Sequence, residues 1–370
     1  MKVIVVIGTR PEAIKMAPIV HELARYPQQI QSIVCVTGQH REMLDQALSI
    51  FQIRPDYDLD LMQAGQTLAG LTARLITALD QVFATEQPDW VLVQGDTTTV
   101  MAASLVAFYR QIKIGHVEAG LRSGDKFQPF PEEINRRITD LLADYYFAPT
   151  TQSRAALLAE HVPAERVLVT GNTVIDALLS TVERVGQRQF APPFDTIGDR
   201  RMLLVTAHRR ENFGEPFQAV CRAIRRIALE FGPALQIVYP VHYNPDVRGP
   251  AYQHLSDLPN ITMVDPVDYE TMVQLLNRAD LVLTDSGGLQ EEAPSLHKPV
   301  LILRDVTERQ EVVDLGAAML VGTDEDRIVA ATSELLTNPA RYAAMSLVPN
   351  PYGDGQASRR IVQALLADQA

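Results

Sequence analysis

The stretch VIVVIGTRPEAIKMAPIV, residues 3–20, decides the fold. Residues 3–7 are apolar and mostly β-branched, and a short run of this kind reads as a strand buried on both faces. Gly8-Thr9-Arg10-Pro11-Glu12 then turns the chain into a helical pattern over residues 11–25. Pro11 suits the first helical position, where its missing N–H would find no partner anyway. Arg10 beside exposed amides makes the turn a candidate anion site, and Lys15 follows one turn later. The competing reading is a capped helix with solvated charges. The turn is not GxGxxG, so the dinucleotide fingerprint is absent here.

The same alternation continues outward. Apolar runs at 33–36, 90–93, 112–115, 145–147 and 167–169 read as strands. Helical patterns at 41–51, 67–83, 98–109 and 132–142 separate them. Such alternation implies an α/β fold with a parallel sheet covered on both faces. Residues 186–201, with Pro192, Pro193, Gly198 and mixed charge, interrupt the rhythm as a linker or long loop. It then restarts, with strands expected at 202–206, 236–239, 261–264, 281–283, 300–303 and 319–321. A last helix, about 356–366, follows a turn at Asn350–Gly353.

The chain has 370 residues, which suggests two domains. Charged residues make up 21% and the formal net charge is -12, which argues against non-specific nucleic-acid binding. Cys35 and Cys221 sit in apolar segments with no CxxC or Cys/His pattern, so they read as core residues and no metal is expected. The apolar stretch at the N-terminus is too short for a signal peptide or a membrane span, and the expected location is the cytoplasm, away from membranes.

Parallel α/β sheets bind ligands at the carboxyl ends of their strands, so the loops after the strands carry the functional reading. After the third expected strand comes Gly95-Asp96-Thr97-Thr98-Thr99, where Asp96 is a helix cap or an acid with a task. His116-Val117-Glu118-Ala119-Gly120 follows the next, and burying a carboxylate so close to an apolar strand is costly without a partner. Glu132 and Glu133 open a helix, as dipole partners or as reactive acids. In the second half, His208-Arg209-Arg210 follows a strand, and histidine titrates near neutral pH. Ser286-Gly287-Gly288 leads into a helix whose amides suit a phosphate, and Glu292 one turn later suits ribose hydroxyls. Arg309 reads as a phosphate contact or a surface ion pair. Thr37-Gly38-Gln39-His40 and Pro240-Val241-His242 are further strand-end loops. Together the loops point to a phosphorylated polar ligand held between two sheets.

At this point the sequence resembles the non-hydrolysing UDP-N-acetylglucosamine 2-epimerases. The segments that carry the resemblance are GTRPEAIKMAPIV (8–20), TGQHREMLDQ (37–46), GDTTT (95–99), GHVEAGLRSGD (115–125), FPEEINRR (130–137), GNTVIDAL (171–178), TAHRREN (206–212), TDSGGLQEEAPSLHKPV (284–300) and NPYGDG (350–355). They run through almost the whole chain. The resemblance implies a GT-B architecture, two Rossmann-like doubly wound parallel-sheet domains facing a central cleft. The domains would be 1–170 and 171–353, with a helix at about 354–370 packing back on the first.

The activity implied is reversible conversion of UDP-N-acetylglucosamine to UDP-N-acetylmannosamine by anti elimination of UDP to 2-acetamidoglucal and re-addition. It would need no cofactor and no metal. A homodimer serving cell-surface polysaccharide synthesis is implied as well. The catalytic residues would be Asp96, Glu118, Glu132 and His208. Arg10, Lys15, Ser286, Gly287, Gly288, Glu292 and Arg309 would bind the UDP-sugar. Some members of the family bind a second UDP-N-acetylglucosamine as activator. Gln39, His40, Arg209 and His242 are the candidates for such a site here, while Glu42 and Gly65 depart from the glutamine and arginine used there. Val306 and Gln310 depart from the usual RDTTERPE. The rival activities are a hydrolysing epimerase releasing N-acetylmannosamine and a GT-B glycosyltransferase.

Overall fold

The computed structural model describes residues 1–38, 41–63, 65–186, 188–191 and 193–368. The chain divides into two units, Met1–Ala177 with Tyr352–Ala370, and Leu178–Pro351.

The first unit alternates as the sequence implies. Its elements are β1 (Lys2–Ile7), α1 (Arg10–Leu23), β2 (Gln31–Val36), α2 (Arg41–Ile50), β3 (Tyr57–Asp58), α3 (Leu68–Glu86), β4 (Trp90–Gln94) and α4 (Thr98–Tyr109). They continue as β5 (Lys113–Val117), α5 (Glu132–Leu142), β6 (Tyr145–Ala148), α6 (Thr151–Ala159) and β7 (Val167–Val169), and α7 (Thr173–Val185) begins in this unit and ends in the second. The seven strands form one sheet in the order β3-β2-β1-β4-β5-β6-β7, and every described pairing is parallel.

The second unit holds β8 (Arg201–Thr206), α8 (Glu215–Phe231), β9 (Leu235–Pro240), α9 (Pro245–Leu255), β10 (Ile261–Val264), α10 (Tyr269–Arg278), β11 (Leu281–Thr284) and α11 (Gly287–Glu292). Then come β12 (Val300–Ile302), α12 (Gln310–Asp314), β13 (Ala318–Leu320), α13 (Glu325–Thr337) and α14 (Pro339–Ser346). Its sheet order is β10-β9-β8-β11-β12-β13, again parallel. The last helix, α15 (Ala357–Ala367), packs on α1 in the first unit. This is the α/β class with two Rossmann-like doubly wound sheets that the sequence implied.

In each sheet the strand order reverses once, between β1 and β4 and between β8 and β11. Loops part at such a switch point, and ligands bind there. The loops concerned begin at Gly8, Gly95, Ala207 and Asp285.

Burial explains why the strands read as unbroken apolar runs. Ile4, Val6, Val91 and Val93 are core residues under Leu75 and Phe83 of α3, and Leu203, Val205 and Leu283 lie against Phe217 and Ile224 of α8. α4 is buried over most of its length, so its sequence shows no polar face. A Cβ on Gly8 would stand 2.5 Å from Thr99 Oγ1, so the first loop meets α4 only because residue 8 is glycine. Two details differ from the sequence reading. β5 runs to Val117 rather than ending at 115, because His116 and Val117 pair with Val93 and Gln94 of β4. The two-residue β3 was not foreseen; so short a strand has no period to detect. Among the described residues no helix is long and apolar enough to cross a membrane.

Asp176 of α7 ties α15 down. It accepts the backbone N–H groups of Ala357 and Ser358 at 3.2 and 2.8 Å and the Ser358 hydroxyl at 2.6 Å. Closer to the active loops, Gly120 has φ +87°, and a Cβ there would lie 2.3 Å from the carbonyl oxygen of Ser153. Gly120→Ala is therefore expected to destabilise the chain by about 3 kcal/mol, from backbone strain plus a clash that has no free side chain to yield. Urea denaturation of the purified variant measures this, and a loss within experimental error of zero would contradict the backbone placement.

Candidate active site

In the first unit three acids gather at the carboxyl end of the sheet. Glu118 lies one residue beyond β5, is 7% exposed and has φ +67°. A non-glycine residue in the left-handed region costs energy and persists only where its surroundings hold it there. Lys15 Nζ donates to both carboxylate oxygens at 2.7 Å, Asn172 Nδ2 donates to Oε1 at 3.0 Å, and Gln94 Nε2 donates to Oε2. The resemblance grouped Lys15 with the phosphates; in the structure it is the charge partner of Glu118.

Asp96 follows β4. Its carboxylate pairs with Arg136 of α5 at 2.5 Å, and its carbonyl accepts from Asn135 Nδ2 at 3.0 Å. Glu133, fully buried, accepts the Ser123 N–H at 3.0 Å and pairs with Arg136 at 3.2 Å. It is a structural anchor more than a partner of the helix dipole. Glu132 opens α5 one turn before Arg136, hence on the face that meets the Asp96 loop. It is half-buried, with no hydrogen-bond or ion-pair partner among the described residues. A Cβ on Gly95 would stand 3.7 Å from Glu118 Oε2, which puts Glu118 directly against the Asp96 loop.

Behind these acids, His116 is fully buried. Its Nδ1 lies 2.6 Å from Asp140 of α5, and its Nε2 lies 2.8 Å from the Gly95 carbonyl. Arg122 pairs with Asp140 at 2.7 Å. Burial alone would raise the Asp140 pKa, but His116 and Arg122 outweigh it and hold the group below its ordinary value. The loop after β4 and helix α5 are thereby pinned to β5.

The first loop corrects one expectation. The Gly8 and Glu12 amides are taken up by side chains of the loop itself rather than left for an anion. Thr9 and Glu12 form a capping box at the start of α1. The Glu12 carboxylate accepts the Gly8 N–H at 2.7 Å and the Thr9 hydroxyl at 2.9 Å, and Thr9 Oγ1 accepts the Glu12 N–H at 3.4 Å. The side chain of Arg10 is half-buried and unpaired among the described residues.

In the second unit a cavity of about 260 Å³ opens at the β8/β11 switch point. His208, His242, Ser286, Gly288 and Glu292 line it, with Met272 on the apolar side. Ser286 stands at the N-cap of α11 without using its side chain as a cap, and the hydroxyl is left to the cavity. The ring of His208 stacks on that of His242 with centroids 5.4 Å apart. Asp285, fully buried, fixes this loop. One oxygen accepts the N–H groups of His208 and Arg209 at 2.7 and 2.8 Å, and the other lies 3.4 Å from His208 Nδ1. Burial lowers the His208 pKa; Asp285 opposes this, while His242 and Arg209 add to it. The neutral ring is favoured.

Arg309 pairs with the buried Glu291 at 2.6 Å. It is not a surface pair, because both groups are largely buried. Gly287 sits under Glu308 and the Arg209 and Arg309 guanidinium groups, which approach its would-be Cβ to 3.2–3.7 Å. Gln39, His40 and the side chain of Glu42 lie outside the described residues. Among the described residues no cluster of His, Cys, Asp and Glu could hold a metal ion. Sequence reasoning missed Gln94, Arg136, Asn172 and Asp285, whose partners lie 24 to 77 residues away.

Two doubly wound units, acids at the switch point of one and a histidine-lined cavity at that of the other, define the GT-B class of nucleotide-sugar enzymes. Within it, the chain belongs to the UDP-N-acetylglucosamine 2-epimerase family, whose profile matches residues 21–366. It is 54% identical to the UDP-N-acetylglucosamine 2-epimerase of Bacillus subtilis over 99% of this chain and 95% of that one. It is 53% identical to that of Escherichia coli K12, over 99% and 98%. The crystal structure of UDP-GlcNAc 2-epimerase from Neisseria meningitidis bound to UDP-GlcNAc superposes with a TM-score of 0.89 at 47% identity, covering 99% of this chain and 100% of that one. The Methanocaldococcus jannaschii enzyme in complex with UDP-GlcNAc and UDP gives 0.79 at 33% identity, with the same coverage.

One consequence concerns pH. Burial, with a smaller push from Asp96, raises the Glu12 pKa from 4.5 to about 7, against the bonds from Gly8, Thr9 and Thr97. The folded state thus retains this proton longer than the unfolded chain. Its contribution to stability is complete below pH 4.5 and is lost as pH rises towards 7, by about 3 kcal/mol. Glu12→Gln, which mimics the protonated acid, is expected to flatten stability between pH 5 and 7 in urea denaturation. A variant with the wild-type slope would exclude Glu12 as the source.

Proposed function

We propose that this chain interconverts UDP-N-acetylglucosamine and UDP-N-acetylmannosamine by inverting C2 of the sugar. The observation that carries the reading is the grouping of Asp96, Glu118 and Glu132 at one sheet end in a chain of this family. The C2 hydrogen has no neighbouring carbonyl and is barely acidic. As UDP leaves with the electrons of the C1–O bond, positive charge grows at C1 and the C2 hydrogen becomes acidic. A carboxylate takes that proton, and the C–H electrons form the C1–C2 double bond of 2-acetamidoglucal. Delivery of a proton to the opposite face of C2 and bonding of a UDP oxygen to C1 complete the inversion. No electrons are gained or lost overall.

Asp96 and Glu132 serve the two faces of C2. Asp96 is aimed by Arg136, and Glu132 is not tied to any described group. Glu118, gripped by three side chains, orients the sugar. His208 meets the departing diphosphate, where the charge that builds up offsets the burial disfavouring its protonated form. Arg10, Ser286, Gly287 and Gly288 hold the phosphates, and Glu292 takes the ribose. Of the two adjacent acids, Glu292 lines the cavity while Glu291 is spent on Arg309.

Incubation with UDP-N-acetylglucosamine in deuterated water, followed by proton NMR, tests this. Deuterium at C2 with a growing UDP-N-acetylmannosamine signal is expected. Free N-acetylmannosamine would move the activity to the hydrolysing class, and an unchanged spectrum would favour a transferase. Asp96→Asn, Glu132→Gln and His208→Asn should each lower kcat by roughly 10²–10⁴-fold without unfolding the chain. Any one of them with near wild-type turnover leaves the catalytic set.

A further inference from the structure

We infer that Asn172 is a positioning residue that sets both the orientation and the charge of Glu118, an inference that rests on the proposed role of Glu118 in turnover. Asn172 follows β7 and is 3% exposed. Its side-chain amide is bound at both ends. Oδ1 accepts the Val174 N–H at 3.1 Å, as an N-cap of α7 does, and Nδ2 donates to Glu118 Oε1 at 3.0 Å. Because the oxygen is committed to a backbone N–H, the nitrogen has to be the end that faces Glu118, and the amide cannot be flipped without losing both bonds. The Asn172 N–H donates to the Tyr352 carbonyl at 2.7 Å, where the chain re-enters the first unit. Asn172 is therefore fixed by backbone on two sides and offers its third bond to the strained acid.

The other two donors to Glu118 differ in kind. Lys15 reaches it on a flexible stem that can follow the carboxylate if it moves. Gln94 extends from β4, the neighbouring strand of the sheet. Asn172 has a short side chain with little freedom, locked by its own cap, so it specifies where Oε1 must lie. A donor aimed at a carboxylate also favours the ionised form. An orientation error of about 1 Å at a reacting centre can cost on the order of a hundredfold in rate.

Asn172→Asp and Asn172→Ser separate this role from capping, because Asp and Ser cap helices as well as Asn or nearly so. Asp places a like charge against Glu118, and Ser is too short to reach it. Asn172→Ser is expected to keep near wild-type thermal stability, whereas Asn172→Asp, which buries a second carboxylate against Glu118, is expected to be less stable at neutral pH than at acid pH. The folded form of each is expected to lower kcat by roughly 10- to 100-fold and to leave KM within about threefold. In Asn172→Asp the acid limb of the pH–rate profile should also move to higher pH, since two adjacent carboxylates resist ionising together. A readout independent of turnover is the carbon-13 NMR titration of the Glu118 carboxyl, assigned by its loss in Glu118→Gln. Its midpoint should rise by about one unit in Asn172→Ser. An unmoved midpoint overturns the inference whatever the activity. A raised midpoint with unchanged kcat upholds the effect of Asn172 on Glu118 and instead removes Glu118 from the proposed mechanism.

Discussion

A carboxylate placed just beyond a strand that is buried from Ile114 to Val117 is the constraint on which the first unit depends. Glu118 leaves β5 in a left-handed backbone conformation and ends 7% exposed. Such a group is costly to bury without partners. The structure answers with donors from three separate segments: Lys15 from α1, Gln94 from the end of β4 and Asn172 from the entrance to α7. Those segments are therefore held to one another through the acid.

The neighbouring contacts extend the same logic. His116, two residues before Glu118, holds the Gly95 carbonyl and Asp140; Asp140 holds Arg122; Arg136 holds Asp96 and Glu133. The loop after β4, the end of β5 and helix α5 thus form one polar assembly over an apolar sheet. Networks of this kind are rigid when their members are satisfied. Glu132, without a partner among the described residues, stands at the edge of this assembly.

The second unit solves a different problem. The β8/β11 switch point gathers polar side chains and an apolar surface around one cavity. Asp285 fixes the loop through two backbone N–H groups and so sets where the His208 ring stacks on His242. Burial and the neighbouring cations then bias His208 towards the neutral form.

The sequence alone determined the element order, the parallel sheets and the loops worth inspecting, because buried parallel strands are apolar throughout and function collects where they end. It also determined the family, through segments spread over nearly the whole chain. Only the tertiary structure decided the partners. Nothing near Asn172 in sequence marks it as a donor to Glu118, 54 residues earlier. Neither the pairing of Arg309 with Glu291 nor the bond from the Gly8 N–H to Glu12 was assigned from the sequence. Periodicity records which face of an element is buried, whereas a hydrogen bond between distant loops depends on how whole elements pack, and that information is not local to any stretch of the chain.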